Sequence, residues 1–374
     1  MPAVTTSLQG PQKANLPPFR SAATRHRNIS YTRSWTTGQP IYINLNRQGY
    51  LAALRFNLAL TVTASTAAAS GDLPDPDVLT NFFPLIALKS PQGDYLVSVS
   101  SRDLLDFNFR LRYALQNCYT TQSGTASTHT QTGILDPSFV GINPASTSAQ
   151  SINVNFELPI SLNDGLNFET GLLMRQLASN DFQLQLNCAA LSDLGNVGTS
   201  GHWTISTITG TVYIEEVWYE AVNPNAVTPP DFAAIIKLRN STFGPCVIGD
   251  NFVPYSTGPT LLDAIHRVQD GTAASTTNVN YLKMLANRQT EIENRRSADI
   301  QRDNFWKLGK NMRNGIYHID FFDDSDVCNQ SRARDFINSN MAAQLDTVVN
   351  TLAAFTTAGS AIYSFYRELV TLGA

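Results

Sequence analysis

Five groups in this 374-residue chain have side chains that could do chemistry: Glu215–Glu216, the trio Asp323, Asp324 and Asp326, Gly309–Lys310, five histidines and four cysteines. Their spacing argues against each chemistry in turn. Adjacent carboxylates on a strand project to opposite faces, so Glu215 and Glu216 form no acid–base pair unless a bulge intervenes. The Asp trio offers oxygen ligands for Ca²⁺ but lacks the Gly and terminal Glu of an EF-hand loop, and reads as a solvated acidic turn. His26, His129, His202, His266 and His318 are dispersed. None has a His or Glu at i+3 or i+4, as a metal-binding helix would. His318, among apolar residues, reads as packed.

Cys118, Cys188, Cys246 and Cys328 contain no C-x-x-C pair and read as buried, reduced thiols. Gly309–Lys310 is followed by Asn311, not the Ser or Thr of a phosphate-cradling loop. The chain contains neither G-x-S-x-G nor G-x-G-x-x-G. Asn28, Asn240 and Asn329 head glycosylation-type triplets, but no secretion signal is expected at this N-terminus. Trp35, Trp203, Trp218 and Trp306 are scattered without a basic face, so core packing is their expected role. The expectation is a protein with no cofactor, no metal and no enzymatic activity.

The elements behind these residues are strands. Leu54, Phe56, Leu58, Leu60 and Val62 alternate with Arg55, Asn57, Ala59, Thr61 and Thr63, the pattern of a half-buried strand. The same period recurs at Ile41–Leu45, Tyr95–Val99, Leu105–Tyr113, Ile152–Ile160, Phe182–Cys188 and Val212–Tyr219. Later it returns at Phe232–Leu238, Ile316–Ile319, Leu345–Phe355 and Ala361–Leu372. Thr347–Tyr366 is uncharged for long enough to suggest a membrane span, yet its Thr, Ser and Asn content fits two strands about a turn. One helix is expected from Ser297, capped by that residue, with Asp299/Arg302 and Asp303/Lys307 as i,i+3 and i,i+4 pairs. Gln116–Gln150 reads as a long loop of a kind that is functional or disordered. Many strands joined by Pro/Gly turns indicate an all-β sandwich or jelly-roll class.

Charge is distributed unevenly. The first acid is Asp72, preceded by Lys13, Arg20, Arg25, Arg27, Arg33, Arg47 and Arg55, while residues 72–374 hold 19 cations against all 30 acids. The expected division is a basic arm over 1–33, a first β unit over 34–222, a linker over 223–231 and a second β unit over 232–374. Charged residues are only 15% of the chain against a usual ~25%, which suits a protein that covers its surface with its own copies.

Several stretches occur in an order that resembles a known family. A polar arm leads to Trp35-Thr-Thr-Gly-Gln-Pro-Ile-Tyr-Ile43 and the strand Leu51–Ser65. Phe156-Glu-Leu-Pro-Ile160, Asn180–Leu186 and Tyr213-Ile-Glu-Glu-Val-Trp-Tyr219 follow, then Val279-Asn-Tyr-Leu282 and a polar helix closing on Asn314-Gly-Ile-Tyr317 and Asp320. The series resembles the double jelly-roll major capsid proteins of tectivirus-type bacteriophages with an internal membrane. That resemblance implies two eight-stranded jelly rolls, a few short helices and an extended N-terminal arm. It further implies trimers that form pseudo-hexagonal capsomers and tile an icosahedral virion shell. Implied partners are other copies of the chain, a penton or vertex protein, and membrane lipids, with DNA the less favoured contact. The arm's Lys13, Arg20, Arg25, Arg27 and Arg33 would then face the interior, each cation contributing roughly 1 kcal/mol at an anionic leaflet. The alternative is another jelly-roll virion protein, a spike or vertex component that binds a receptor or carbohydrate.

Overall fold

The computed structural model describes residues 19, 23–66, 80–111, 121–123, 130–132, 147–163, 169–175, 181–194, 204–220, 234–270, 273–274, 279–308, 315–321, 337–338, 342–352, 355 and 360–371. The first half opens with β1 (Arg25–Ser34), β2 (Pro40–Asn44), β3 (Tyr50–Thr66), β4 (Leu85–Lys89) and β5 (Tyr95–Val99), followed by helix α1 (Ser101–Leu111). Two short pairs come next, β6 (Thr121–Ser123) with β7 (Thr130–Thr132), and, after β8 (Gln150–Pro159), β9 (Leu162–Asn163) with β10 (Glu169–Thr170). β11 (Leu173–Met174), β12 (Gln183–Asn187) and β13 (Thr204–Tyr219) close this half.

The second half runs β14 (Ala234–Phe243), β15 (Gly249–Tyr255), β16 (Thr260–Asp270), β17 (Ala273–Ala274), β18 (Val279–Ala286) and β19 (Thr290–Arg296). Helix α2 (Ser297–Leu308) follows, then β20 (Ile316–Asp320), β21 (Ile337–Asn338), β22 (Leu345–Thr351) and β23 (Ala361–Thr371).

Pairing makes the halves equivalent. The order β1-β13-β3-β8 in the first matches β14-β23-β16-β20 in the second, and β2-β12-β4-β5 matches β15-β22-β18-β19. Each half is thus two four-stranded sheets with the same winding, an eight-stranded jelly roll, and among the described residues each carries a helix between its fifth and sixth strands. The rolls are fused: β14 pairs in parallel with β5 at Leu238↔Val97 and Arg239↔Ser98, so one sheet of each merges into a ten-stranded sheet.

β3 shows how sequence dictates placement. Leu54, Phe56, Leu58, Leu60 and Val62 are buried in the first core, while Arg55 and Asn57 point outward. Its first residues, Tyr50–Ala53, are buried on both faces because Phe19 covers the outer one, 5.6 Å from the Tyr50 ring and 5.5 Å from that of Tyr219. The tight entry into β3 uses Gly49 at φ 57°, where a Cβ would overlap the Tyr219 carbonyl oxygen.

Three sequence expectations need correction. Leu105–Tyr113 is not a strand; Ser101–Leu111 is α1. A reciprocal cap starts it: the Asp103 amide donates to Ser100 Oγ (3.2 Å) and the Ser100 amide to Asp103 Oδ2 (3.0 Å). Residues 25–34 are not arm but the first strand of the first roll, paired along its length with β13. Ser297 does not cap α2 through its hydroxyl, which donates instead to the Val279 carbonyl at 2.8 Å.

The sheet edges are blunted in ways that disfavour strand addition. β1 carries Arg25, Arg27 and Arg33 and shifts register between Ile29 and Tyr31; β19 shifts register opposite Met284/Leu285. Pro40 and Pro254 sit in the edge strands β2 and β15. The outer edge of β8 is covered by α1, whose Asn108 side chain accepts from the Glu157 amide (2.9 Å) and donates to its carbonyl (2.7 Å).

Candidate functional site

Glu215 and Glu216 do project to opposite faces of β13. Glu216 is buried and paired with buried Arg175 at 2.7 Å, and accepts from Ser30 Oγ and Tyr31 Oη at 3.2 Å each. Burial and the neighbouring Glu216 charge push the Tyr31 hydroxyl far above its ordinary range. Glu215 faces outward to Arg27 at 2.6 Å. Across the sheet Glu215 aligns with Arg55, and Arg55 with Glu157, which it meets at 2.5 Å. Charges of alternating sign therefore cross four strands on the outer face of the first roll. They line a cleft of about 530 Å³ with Asn57 and Asn155.

Of the five cations assigned to an interior-facing arm, Arg25, Arg27 and Arg33 lie on β1, while Lys13 and Arg20 lie outside the described residues. Also outside are the Asp323 trio, Gly309–Lys310, the linker over 223–231, Trp203, Cys118, Cys328 and most of Gln116–Gln150. Cys188 and Cys246 are free and buried; burial pushes both thiols up, that of Cys246 to about 11 with Asp270 contributing. Among the described residues no cluster of three His, Cys, Asp or Glu is arranged to hold a metal, and no helix is long and apolar enough to cross a membrane.

The second roll holds a histidine beside a hydroxyl. His266 Nδ1 lies 2.8 Å from Ser364 Oγ, and His266 Nε2 lies 3.0 Å from Tyr255 Oη, which in turn meets Thr347 Oγ1 at 2.7 Å. The composition is that of a nucleophile and its base, but His266, Ser364 and Thr347 are wholly buried. Burial, helped by nearby His318, drops the His266 pKa to about 3. The chain of four side chains joins the two sheets of the second roll and leaves no room for a substrate. His318 is packed as expected, 3.6 Å from Asp263.

Among the described residues, a dense polar constellation lies where the rolls meet. From α1, Asp106 Oδ2 accepts from Arg267 Nε (3.0 Å) and Nη2 (2.5 Å), and Asp103 Oδ2 accepts from Asn240 at 3.1 Å. Phe107 packs on Phe365 at 5.3 Å with the Arg367 guanidinium 4.7 Å from its ring, and Arg367 is itself held bidentate by Asp263. Asp106, Arg267 and Phe107 are all buried. None of these partners was visible in the sequence, although Ser100 three residues before Asp103 signalled the helix that carries them.

Away from the joint, Trp306 is 77% exposed on α2, with Phe305 beside it, against the expected packing of the tryptophans. Val247, Ile248 and Leu352 form a second exposed apolar group. Buried Asn251 shapes it, bonding the Val247 amide and carbonyl at 2.9 Å each and the Val349 carbonyl at 3.2 Å. Asn251→Ala should cost about 1–3 kcal/mol in urea unfolding and speed amide exchange at Val247; unchanged exchange would show that the turn holds itself.

No family model and no curated protein matches the sequence. Solved structures do match the fold. The STIV major capsid protein superposes with a TM-score of 0.67 at 14% identity, over 93% of this chain and 97% of its own. The double jelly roll of viral major capsid proteins is the fold of this chain. The atomic structure of Sulfolobus Turreted Icosahedral Virus gives 0.65 at 16% identity over 93% and 91% of the two chains. The major capsid protein of bacteriophage PM2 gives 0.53 at 10% over 94% and 98%. Both rolls and their fusion are covered, as coverage near the full length of each partner requires. The double jelly roll is therefore present as the sequence motifs implied.

Proposed function

We propose that this chain is the major capsid protein of an icosahedral virus, located in the virion, and that three copies form a pseudo-hexagonal capsomer that tiles the shell. The supporting observation is the pair of equivalent rolls fused through one ten-stranded sheet, a fold shared along almost the whole chain with viral major capsid proteins. A buried polar constellation joins the rolls to each other, and the histidine–hydroxyl network is sealed from solvent. Such a subunit works by shape, through obligate interfaces of ~2,000 Å² or more.

The first roll has an inner and an outer end in this reading. Phe19 packs at the Tyr50 end of β3, whereas Thr66 pairs with Thr204 at its other end. Seventeen extended residues separate these ends by about 50 Å. We assign the Phe19 end to the interior, with Lys13 and Arg20 as its cations toward an internal membrane, and the Thr66 end, with the Gln116–Gln150 loop, to the exterior. Size exclusion with light scattering should give about three times the 41.0 kDa chain mass, and electron microscopy of concentrated protein should show hexagonal profiles or shells. A chain that stays monomeric under every condition would sink the proposal.

A further inference from the structure

We propose that α2 of one copy docks into the outer cleft of the first roll of a second copy, placing Phe305 and Trp306 against the surface of Arg27, Arg55, Asn57, Asn155, Glu157 and Glu215. The inference rests on the self-assembly proposed above and specifies which faces meet.

The chain displays such a contact internally. α1 and α2 occupy the same place in their rolls, and they share a sequence pattern: Ser101-x-Asp103-Leu104-x₃-Asn108-Phe109 against Ser297-x-Asp299-Ile300-x₃-Asn304-Phe305. The inward positions behave alike, since Leu104, Asn108, Ile300 and Asn304 are all buried under their own roll. The outward positions do not. On α1, Asp106 and Phe107 are buried because the outer face of the β14-β23-β16-β20 sheet receives them, through Arg267, Phe365 and Arg367. On α2 the matching positions are Arg302, with its side chain 63% exposed, and Asp303, and among the described residues their ion pairs run to Asp299, Arg295 and each other, all on α2 or the adjoining β19, rather than to a facing sheet.

The receiving face is also duplicated. The first-roll equivalent of the sheet that takes up α1 is β1-β13-β3-β8, and its outer face is the cleft of about 530 Å³. The chain thus presents one filled helix-in-face joint, one exposed helix and one open face. A head-to-tail contact of this kind is heterologous, and it closes into a ring when the rotation between copies permits.

Charge complementarity supports the same occupant. The outward acid of α1 meets a buried arginine, whereas the corresponding α2 position is Arg302 and the cleft carries Glu157 and Glu215. The cleft's Arg27 and Arg55 are already paired with these two carboxylates, so the face offers acceptors to Arg302 without a net negative charge. Each carboxylate already accepts from one arginine and has lone pairs to spare for another donor. The register shifts in β1 and β19 disfavour strand addition at these edges, so a helix-in-cleft contact suits the chain better than edge pairing. Exposed Trp and Phe supply the anchor that interface cores use.

Full-length protein should be measured by light scattering as wild type, as Phe305→Ala/Trp306→Ala and as Arg302→Glu. Both variants change exposed residues, so their unfolding temperatures should match wild type. Association of the aromatic double variant should weaken at least ~30-fold, the minimum for one hot-spot residue. Trp306→Cys combined with Asn57→Cys should give disulfide-linked dimers and trimers on oxidation, and neither single variant should. If wild type assembles while the variants assemble equally well and the cysteine pair stays unlinked, this interface is overturned and self-assembly stands. A wild-type protein that never associates overturns both.

Discussion

Asp106→Ala should cost about 3–5 kcal/mol of stability, because it strands the Arg267 guanidinium in the joint between the rolls. Water cannot reach that charge: both side chains are 3% exposed. The expected urea curve moves its midpoint down, and the transition splits if the second roll loses its grip on α1 before the first roll melts. Asp106→Leu with Arg267→Met tests the mechanism. It removes both charges and keeps apolar bulk, so it should recover most of the loss, as apolar replacement of whole buried pairs often does. A double variant as unstable as Asp106→Ala would show that the geometry of the bonds, rather than relief of a stranded charge, sets the cost. Neutral pH suits the measurement, because burial raises the nearby Asp103 carboxyl and its titration at lower pH would mix with the effect.

The architecture was legible where one face of a strand meets the core and the other meets solvent. β3 and β8 alternate cleanly for that reason. β16 was not legible, since its residues from Leu261 to Gln269 are all buried: one face serves the second core and the other faces the first roll. Its Arg267 is polar because it meets Asp106 at the joint, whereas its His266 is polar inside the second roll, where Ser364 and Tyr255 bond it. α1 was misread because Leu105, Phe107, Phe109 and Leu111 alternate while Leu104 and Asn108 supply a helical stripe, and the Ser100–Asp103 cap decides between the two periods. β1 was hidden by its exposure. Its cations looked like an arm for a polyanion, whereas on an edge strand they keep other strands away. The correspondence of Ser101–Phe109 with Ser297–Phe305 was present in the sequence throughout, but only the equivalent place of the two helices in their rolls makes it worth comparing.

Acid should destabilise the second roll through His266. In the folded chain this ring stays neutral down to about pH 3, whereas in the unfolded chain it takes a proton near its ordinary 6.5. Between those values the unfolded state binds more protons, so stability falls as pH falls through that window, by up to about 1.4 kcal/mol per pH unit. Glu368 and Asp103 act with the opposite sign. Burial raises both carboxyls, so the folded state binds their protons first and gains stability as pH falls. Wild type alone therefore reports a mixture of slopes. His266→Gln separates them: it weakens the bonds to Ser364 and Tyr255 at every pH, yet it has no ring to protonate. The stability advantage of wild type over this variant should be largest near pH 7 and shrink steadily toward pH 4. Parallel curves over that range would mean that the ring is protonated within the fold, and that the Ser364–His266–Tyr255–Thr347 chain opens to water before the roll unfolds.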